Sequence, residues 1–283
     1  MILNKSGQNS KPLNLLFIGD IVGSYGRAIA KQVLPEIRKE YAIDFTIANG
    51  ENSAHGYSIT EKIYLDLMDN GFDAITMGNH LWEKKEIIPK IAVFEKMARP
   101  ANFPPGVPGK DHLIIDFAGL KIGVLNLLGR VFMQCMDCPF QAAEKLIPKI
   151  REQTKIIIVD FHAEATSEKC AMGYFLDGKA SAVIGTHTHV MTADERILAG
   201  GTAFIADVGM VGAQDSIIGM SKEQILKRFI TQMPEKFEPV DTGPGLFNAL
   251  FLKIDTQSGK ALEVKRIFRV VEPLFPEKEE GKK

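Results

Sequence analysis

The chain has 283 residues, 45% of them hydrophobic and 24% charged, with 34 Lys plus Arg against 35 Asp plus Glu. That length can bury a substantial core, and the composition is that of an ordinary globular protein, not a disordered or fibrous one. A formal charge of −1 offers no global basic surface for wrapping long nucleic acid, although a local basic groove stays compatible with it.

Cys135, Cys138 and Cys170 are too few for a disulfide framework and fit a reducing compartment. The opening MILNKSGQNSKPLN is too polar for a signal peptide. No apolar run approaches the roughly 20 residues of a membrane span. A cytoplasmic protein with no membrane partner is expected. Residues 1–12 read as a flexible leader, 13–273 as one domain, and 274–283 as a charged tail.

In chain order, Leu13–Ile18 reads as the first strand. A helix follows from about Tyr25, with Ile29, Val33 and Ile37 on one face. Pro35 falls inside that pattern and should end or bend it. Phe45–Ala48 is the next strand. Ser58-Ile59-Thr60-Glu61 has capping-box spacing, and the helix it opens stops at Asn70-Gly71. Phe72–Met77 is a third strand, with a helix around Glu83–Ile91.

Four prolines and two glycines make 100–110 a loop. His112–Phe117 and Lys121–Leu128 pair across Ala118-Gly119-Leu120. Gln141–Ile150 is a helix; Ile156–Asp160, Ala180–Ile184 and Thr202–Ala206 are strands. Ser221 opens a helix toward Thr231, and Ala249–Ile254 pairs with Ala261–Val270 as a hairpin. Alternating strands and helices suggest a parallel sheet, whereas the hairpins demand antiparallel pairing. A mixed αβ sandwich with two facing sheets and helices outside satisfies both.

Five polar clusters end apolar runs: Gly19-Asp20, Gly50-Glu51-Asn52, Gly78-Asn79-His80, Phe161-His162 and Gly185-Thr186-His187-Thr188-His189. Side chains delivered from successive strand ends converge on one sheet edge, where metal and ligand sites are built. Four of the six histidines, His80, His162, His187 and His189, sit at such ends. Each residue alone has a plainer role. Asp20 could cap the following helix, Glu51 could form a turn with Asn52, and Asn79 could make an Asx-turn.

The set together points to a two-metal hydrolase. Glu51 supplies an anionic oxygen suited to sit between two cations. His187 and His189, at i and i+2 of an extended segment, would face one way. Imidazole mixed with oxygen ligands favours Mn or Fe. Arg130 and Lys169 are candidate anion contacts or solvated surface. His55 lies near Glu51 and could approach substrate, and His112 reads as structural. Cys135-x-x-Cys138 has no second pair and reads as loop packing, with weak metal or redox chemistry as the alternative. Gly23 and Gly26 do not match a nucleotide-binding loop, so no organic cofactor is expected.

The segments GDIVG, ANGENSAHGYSIT, ITMGNHLWEKKEI, LNLLGRVFM, VDFHAEATSEKCAMGYFLDGKASAVIGTHTHVMTADERIL and GTAFIADVGMVGAQDSIIGM resemble the YmdB-like bacterial metallophosphoesterases, a calcineurin-like branch. The resemblance spans nearly the whole chain. It implies a four-layer α-β-β-α sandwich holding two transition metals, divalent or of mixed valence. Asp20, Glu51 and His189 would surround the first metal; Glu51, Asn79, His162 and His187 would surround the second. Asn52 would lie beside the cluster or on the phosphate, and His80 would be the catalytic histidine.

The wider superfamily opens with D-x-H, whereas this chain has Asp20-Ile21-Val22, so its first site is one imidazole poorer. The resemblance implies hydrolysis of small cyclic phosphodiesters, 2',3'-cyclic nucleotides first. Phosphomonoesters and RNA are alternative substrates, and a non-catalytic nucleotide-binding regulator is the non-enzymatic alternative. Apolar loops VFMQCMDCPF and GMVGAQDSIIGM add an expectation of a homo-oligomer.

Overall fold

The computed structural model describes residues 11–275. The leader and tail expected from the sequence lie outside the described residues, apart from Lys11, Pro12, Leu274 and Phe275.

The first half of the chain runs β1 (Leu13–Ile18), β2 (Asp20–Ile21), α1 (Gly23–Tyr41), β3 (Phe45–Asn49), α2 (Glu61–Asp69), β4 (Ala74–Thr76), β5 (Met97–Ala98), β6 (His112–Phe117) and β7 (Leu120–Leu128). It continues with α3 (Pro139–Arg151), β8 (Ile156–His162), α4 (Thr166–Phe175), β9 (Ala182–Thr186), β10 (Arg196–Ile197), β11 (Ala203–Ile205) and β12 (Met210–Ala213). Helix α5 (Lys222–Thr231) and the hairpin β13 (Gly245–Ile254) and β14 (Ala261–Val271) close it.

Two mixed sheets result. In the first, β1, β3, β4 and β5 are parallel, and β13 runs antiparallel to β1, β12 and β14. In the second, β11, β9, β8 and β7 are parallel between antiparallel edges β10 and β6. Helices α1, α2, α3 and α4 each connect strands within one sheet, as parallel pairing requires.

Alternate residues of the same strand enter different cores, which is why the central strand runs are apolar on both faces. Leu15 and Phe17 of β1 meet Ile122, Val124, Ile158 and Ile184 of the other sheet. Leu16 and Ile18 pack with Ile29, Val33 and Ile37 of α1 and Leu67 of α2. Leu125, Val159 and Phe161 pack under Ile147 and Ile150 of α3 and Met172 of α4.

Several local expectations shift. Helix α1 continues through Pro35 to Tyr41, because Pro35 lies on the exposed face, where water satisfies the carbonyl its missing N–H leaves free. The helix expected at Glu83–Ile91 is instead two 3₁₀ segments, Leu81–Glu83 and Lys85–Val93. Pro89 removes an α-type bond there, and Ile87 is the buried side chain of the longer segment. Thr60 caps α2, its hydroxyl accepting from Ile63 N at 3.3 Å; Ser58 instead donates to the Leu81 carbonyl. The unanticipated α4 buries Glu168, Lys169, Met172 and Gly173, so polar residues occupy the stripe that would have marked it as amphipathic.

Both sheets are tied together by polar groups at their strand ends. The Asp160 carboxylate on β8 is fully buried and accepts from Thr186 Oγ1 at 2.7 Å on its own sheet. From the facing sheet it accepts from Asn49 Nδ2 at 3.0 Å and from the Thr76 hydroxyl. Asn126 donates to the Asp160 carbonyl at 3.3 Å and accepts from Met77 N at 3.3 Å, a second link across the interface. Asp160→Ala would remove the carboxylate that accepts from three buried donors, of which Asn49 Nδ2 and Thr76 Oγ1 keep a backbone acceptor, Met77 and Ala48. We expect it to destabilise chelator-treated protein by about 3 kcal/mol in denaturant unfolding, with Asp160→Asn losing clearly less.

Candidate metal centre

Asp20 on β2, Glu51 and Asn52 after β3, Asn79 and His80 after β4, His162 ending β8, and His187 and His189 after β9 gather at one end of the two sheets. Glu51 Oε1 lies 2.9 Å from His162 Nε2, which is 3.0 Å from both Asn79 Oδ1 and His187 Nδ1. Glu51, His162 and His187 present ligand atoms all within 4.8 Å of one another. Asp20 Oδ1 faces His162 Nδ1 at 3.9 Å and His189 Nε2 at 4.0 Å. The close approach depends on Gly78, where a Cβ would sit 2.2 Å from Glu51 Oε2.

Each imidazole has one nitrogen held by a neighbour, which aims the other inward. Thr186 donates its hydroxyl to Asp160, so it accepts from His162 Nδ1 at 2.8 Å, leaving Nε2 toward the cluster. His189 donates Nδ1–H to the Ile218 carbonyl at 2.9 Å, leaving Nε2 toward Asp20. His187 Nε2 lies 3.2 Å from Glu164 Oε2, leaving Nδ1 toward His162. These tautomers follow from the hydrogen-bond network.

The donor set fits cations. Asp20 Oδ1 is buried without a hydrogen-bond partner among the described residues, and such an oxygen is costly unless a cation faces it. Burial pushes the Asp20 carboxyl well above its ordinary range, and the nearby Glu51, Asp207 and Asp160 charges add to that rise against the opposing pull of His162. Burial also opposes charge on Glu51, but His162 and the His80 N–H at 3.0 Å outweigh it and bring the carboxyl to about 2. Burial would lower His162; the Glu51, Asp20 and Asp160 carboxylates instead raise it to about 9. Burial and the His162 charge lower His187 to about 3. Metal-free, the centre of the cluster is thus the His162 imidazolium paired with the Glu51 carboxylate.

His187 and His189 do not continue an extended strand. Strand β9 ends at Thr186, and the two histidines take φ values of 102° and 65°. They turn to different neighbours, His187 to His162 and His189 to Asp20. The intervening Thr188 is anchored by Asp207 Oδ2 through its N–H at 3.0 Å and its hydroxyl at 2.8 Å.

Lys169 belongs to that anchor. It is buried, with Nζ 2.6 Å from Asp207 Oδ2, and is neither solvated surface nor part of the lining of the cavity bounded by Glu51, His80, His187 and His189. Arg130 is exposed, away from that lining; its backbone N–H is held by Glu168 at 3.1 Å. His80 and Asn52 do line the cavity, each with a buried polar atom that has no hydrogen-bond partner among the described residues, His80 Nδ1, 3.8 Å from Glu83 Oε1, and Asn52 Oδ1. His55 is exposed, and His112 pairs with Asp111 at 2.7 Å. The three cysteines are free.

Sequence reasoning passed over Asp160, Asp207, Glu164 and Ile218, and placed Thr186 in a strand-end cluster without giving it a role. Asp160 and Asp207 do end apolar runs, IIIVD and AFIAD, and that signal could have found them. The Ile218 carbonyl leaves no trace in residue type.

Lys169→Met should unfold the chain at distinctly lower denaturant, by about 3–5 kcal/mol, because the buried Asp207 carboxylate loses its counter-cation; a mere substrate contact would alter KM alone. A second expectation concerns pH. His162 is raised above its ordinary value of 6.5 to about 9, so its contribution to the metal-free fold is complete below about pH 6.5 and disappears as pH rises through 9. Thermal melting of chelator-treated protein from pH 6 to 10 should show this loss, and His162→Gln should flatten it.

A family model described as YmdB-like protein matches residues 16–267. The chain is 51% identical over 255 residues to the 2',3'-cyclic-nucleotide 2'-phosphodiesterase of Bacillus subtilis, covering 90% of this chain and 96% of that one. It is 36% identical to a putative phosphatase/phosphodiesterase of Mycoplasma pneumoniae, covering 92% and 94%. Among solved structures, a hypothetical protein from Thermus thermophilus superposes with a TM-score of 0.85 at 39% identity, covering 92% and 100%. A novel phosphatase from Mycoplasma pneumoniae gives 0.87 at 34%, covering 93% and 95%. This chain belongs to the YmdB-like family.

Proposed function

We infer that this protein is a metal-dependent phosphodiesterase of small cyclic nucleotides, with 2',3'-cyclic nucleotides as the first substrates. The observation that carries the reading is the convergence of Asp20, Glu51, Asn79 and three imidazoles around a buried carboxylate oxygen that has no hydrogen-bond partner among the described residues. The name of the Bacillus subtilis relative supplies the substrate class.

Two metals are part of the proposal. Asp20, Glu51 and His189 would hold one, and Glu51, Asn79, His162 and His187 the other, with Glu51 shared. Mn or Fe suits this mixture of oxygen and imidazole. Bound there, the cations supply Lewis-acid charge opposite the phosphoryl oxygens and make water nucleophilic at neutral pH.

The chain's own residues do the rest. His80 lies on the cavity wall beside Glu51, where its ring can give a proton to the departing sugar 2'-oxygen. Asn52 stands beside it with an amide that can orient the phosphate. Thr186, Glu164 and the Ile218 carbonyl hold the imidazoles in place.

The wider architecture belongs to the same reading. The three apolar cores support a four-layer α-β-β-α order within one domain, 13–273. Among the described residues no helix is long and apolar enough to cross a membrane, and a cytoplasmic site is proposed from the sparse, free cysteines. A homo-oligomer is proposed from apolar loops such as the one bearing Phe132, 89% exposed.

The test is a metal-by-substrate panel. Chelated protein should be inactive, and Mn or Fe should restore hydrolysis of 2',3'-cyclic nucleotides to 3'-phosphates with about two ions per chain. His80→Ala should cut kcat by about 10²–10⁴-fold while keeping its metal. Faster turnover of phosphomonoesters or short RNA would move the assignment to those substrates. Tight nucleotide binding without metal-dependent turnover would establish a regulator instead.

A further inference from the structure

The cavity at the candidate centre, about 380 Å³, is lined by two unlike sets of side chains. Glu51, Asn52, His80, His187 and His189 are polar. Tyr57, Ile218, Met220, Ile225 and Phe237 are apolar or aromatic. The volume lies in the range of small-ligand sites, whose apolar surface commonly holds the body of a ligand while a few polar groups fix its reactive end.

Ile218 breaks a local rule to be there. Ile217 and Met220 exchange backbone hydrogen bonds of 3.0 Å in both directions, so Ile218-Gly219 is a two-residue hairpin loop. Its φ values are 48° and 95°, the positive pair of a type I′ turn, which favours Asn-Gly or Gly-Gly. A β-branched residue with positive φ is a steric outlier that costs stability. The usual compensation, burial, is weak, since Ile218 remains 47% exposed. The backbone alone does not explain the isoleucine, because its carbonyl bond to His189 Nδ1 would survive Asn or Gly at this position.

We propose that Ile218 and Phe237 form an apolar clamp for the nucleobase of the cyclic nucleotide, with Tyr57 continuing the apolar lining toward the reacting phosphate. This rests on the phosphodiesterase reading of the same site. The Arg228 guanidinium lies over the Phe237 ring, 5.9 Å from its centroid. The Tyr57 ring stands edge-on to His80, their centroids 5.1 Å apart, so the apolar lining adjoins the proposed proton donor. Stacking and aliphatic contact read the face of a base, not its hydrogen-bonding edge. The clamp therefore selects nucleotides over base-free cyclic phosphates while tolerating different bases.

The test compares 2',3'-cyclic AMP with methyl β-ribofuranoside 2',3'-cyclic phosphate, which lacks the base, using Mn-loaded full-length protein. Wild type should prefer the nucleotide in kcat/KM. Ile218→Asn should lower that preference about tenfold, mainly through KM, with a melting temperature equal to or above wild type because the turn strain is relieved. Phe237→Ala should shift the preference in the same direction.

An unchanged preference in both variants would overturn the clamp. So would equal loss on both substrates together with a lower melting temperature, the signature of a structural role. Wild type hydrolysing both substrates equally would sink the clamp and leave the phosphodiesterase reading standing. Hydrolysis of neither would remove that reading and the clamp with it.

Discussion

A buried carboxylate, that of Asp160, lies between the two sheets, and its oxygens collect donors from β3, β4 and β9. An isolated carboxylate at that depth would be prohibitively expensive, and burial does push its pKa upward. Three hydrogen bonds and the nearby His162 offset that cost. The same bonds set the distance between the facing strand ends. They also fix the proton of His162, because the Thr186 hydroxyl that donates to Asp160 can only accept from Nδ1. Sheet packing and ligand orientation are therefore a single problem with a single solution.

The Lys169–Asp207 pair plays the corresponding part for the other two imidazoles. A buried ion pair is poor evidence for stability, since hydrophobic residues of equal volume often do as well. Here it has a geometric product. Asp207 uses both oxygens, holding Thr188 with one and Gly209 N at 2.8 Å with the other. That clamps a segment whose neighbouring histidines sit at positive φ. Apolar replacements could fill the space but could not hold Thr188.

Much of this was legible in the sequence, and the reasons are specific. Strands buried on both faces read as nearly continuous apolar runs, so β1, β3, β4 and β8 could be located from short stretches dominated by apolar residues. Their ends then located Asp20, Glu51, Asn79 and His162. What stayed hidden depends on residues far apart in the chain. Helix α4 buries Glu168 and Lys169 because their partners, the Arg130 and Val131 N–H groups and Asp207, come from distant loops. Strands β2, β5, β10 and β12 are two to four residues long, too short to show a period. The i and i+2 argument brought His187 and His189 to the centre but misjudged their backbone, which tertiary anchoring bends.

Strain is distributed in a way that separates fold from function. Of the nine non-glycine residues with positive φ among those described, His187, His189 and Ile218 line the cavity, and His55 and Ser58 flank its Gly56-Tyr57 segment. Each such residue costs of order 1–3 kcal/mol and persists only where its surroundings over-determine it. The surroundings here are identifiable. Asp207 holds the histidine loop, Ser58 is fastened to the Leu81 carbonyl, and the Ile217–Met220 bridge closes the turn at Ile218. The strands beneath obey their local preferences, whereas the loops above violate theirs at points that face one cavity. A sequence under selection for stability alone would shed these conflicts through single Gly or Asn substitutions. Their concentration at the rim marks the side chains themselves, not the backbone they distort, as what the site retains.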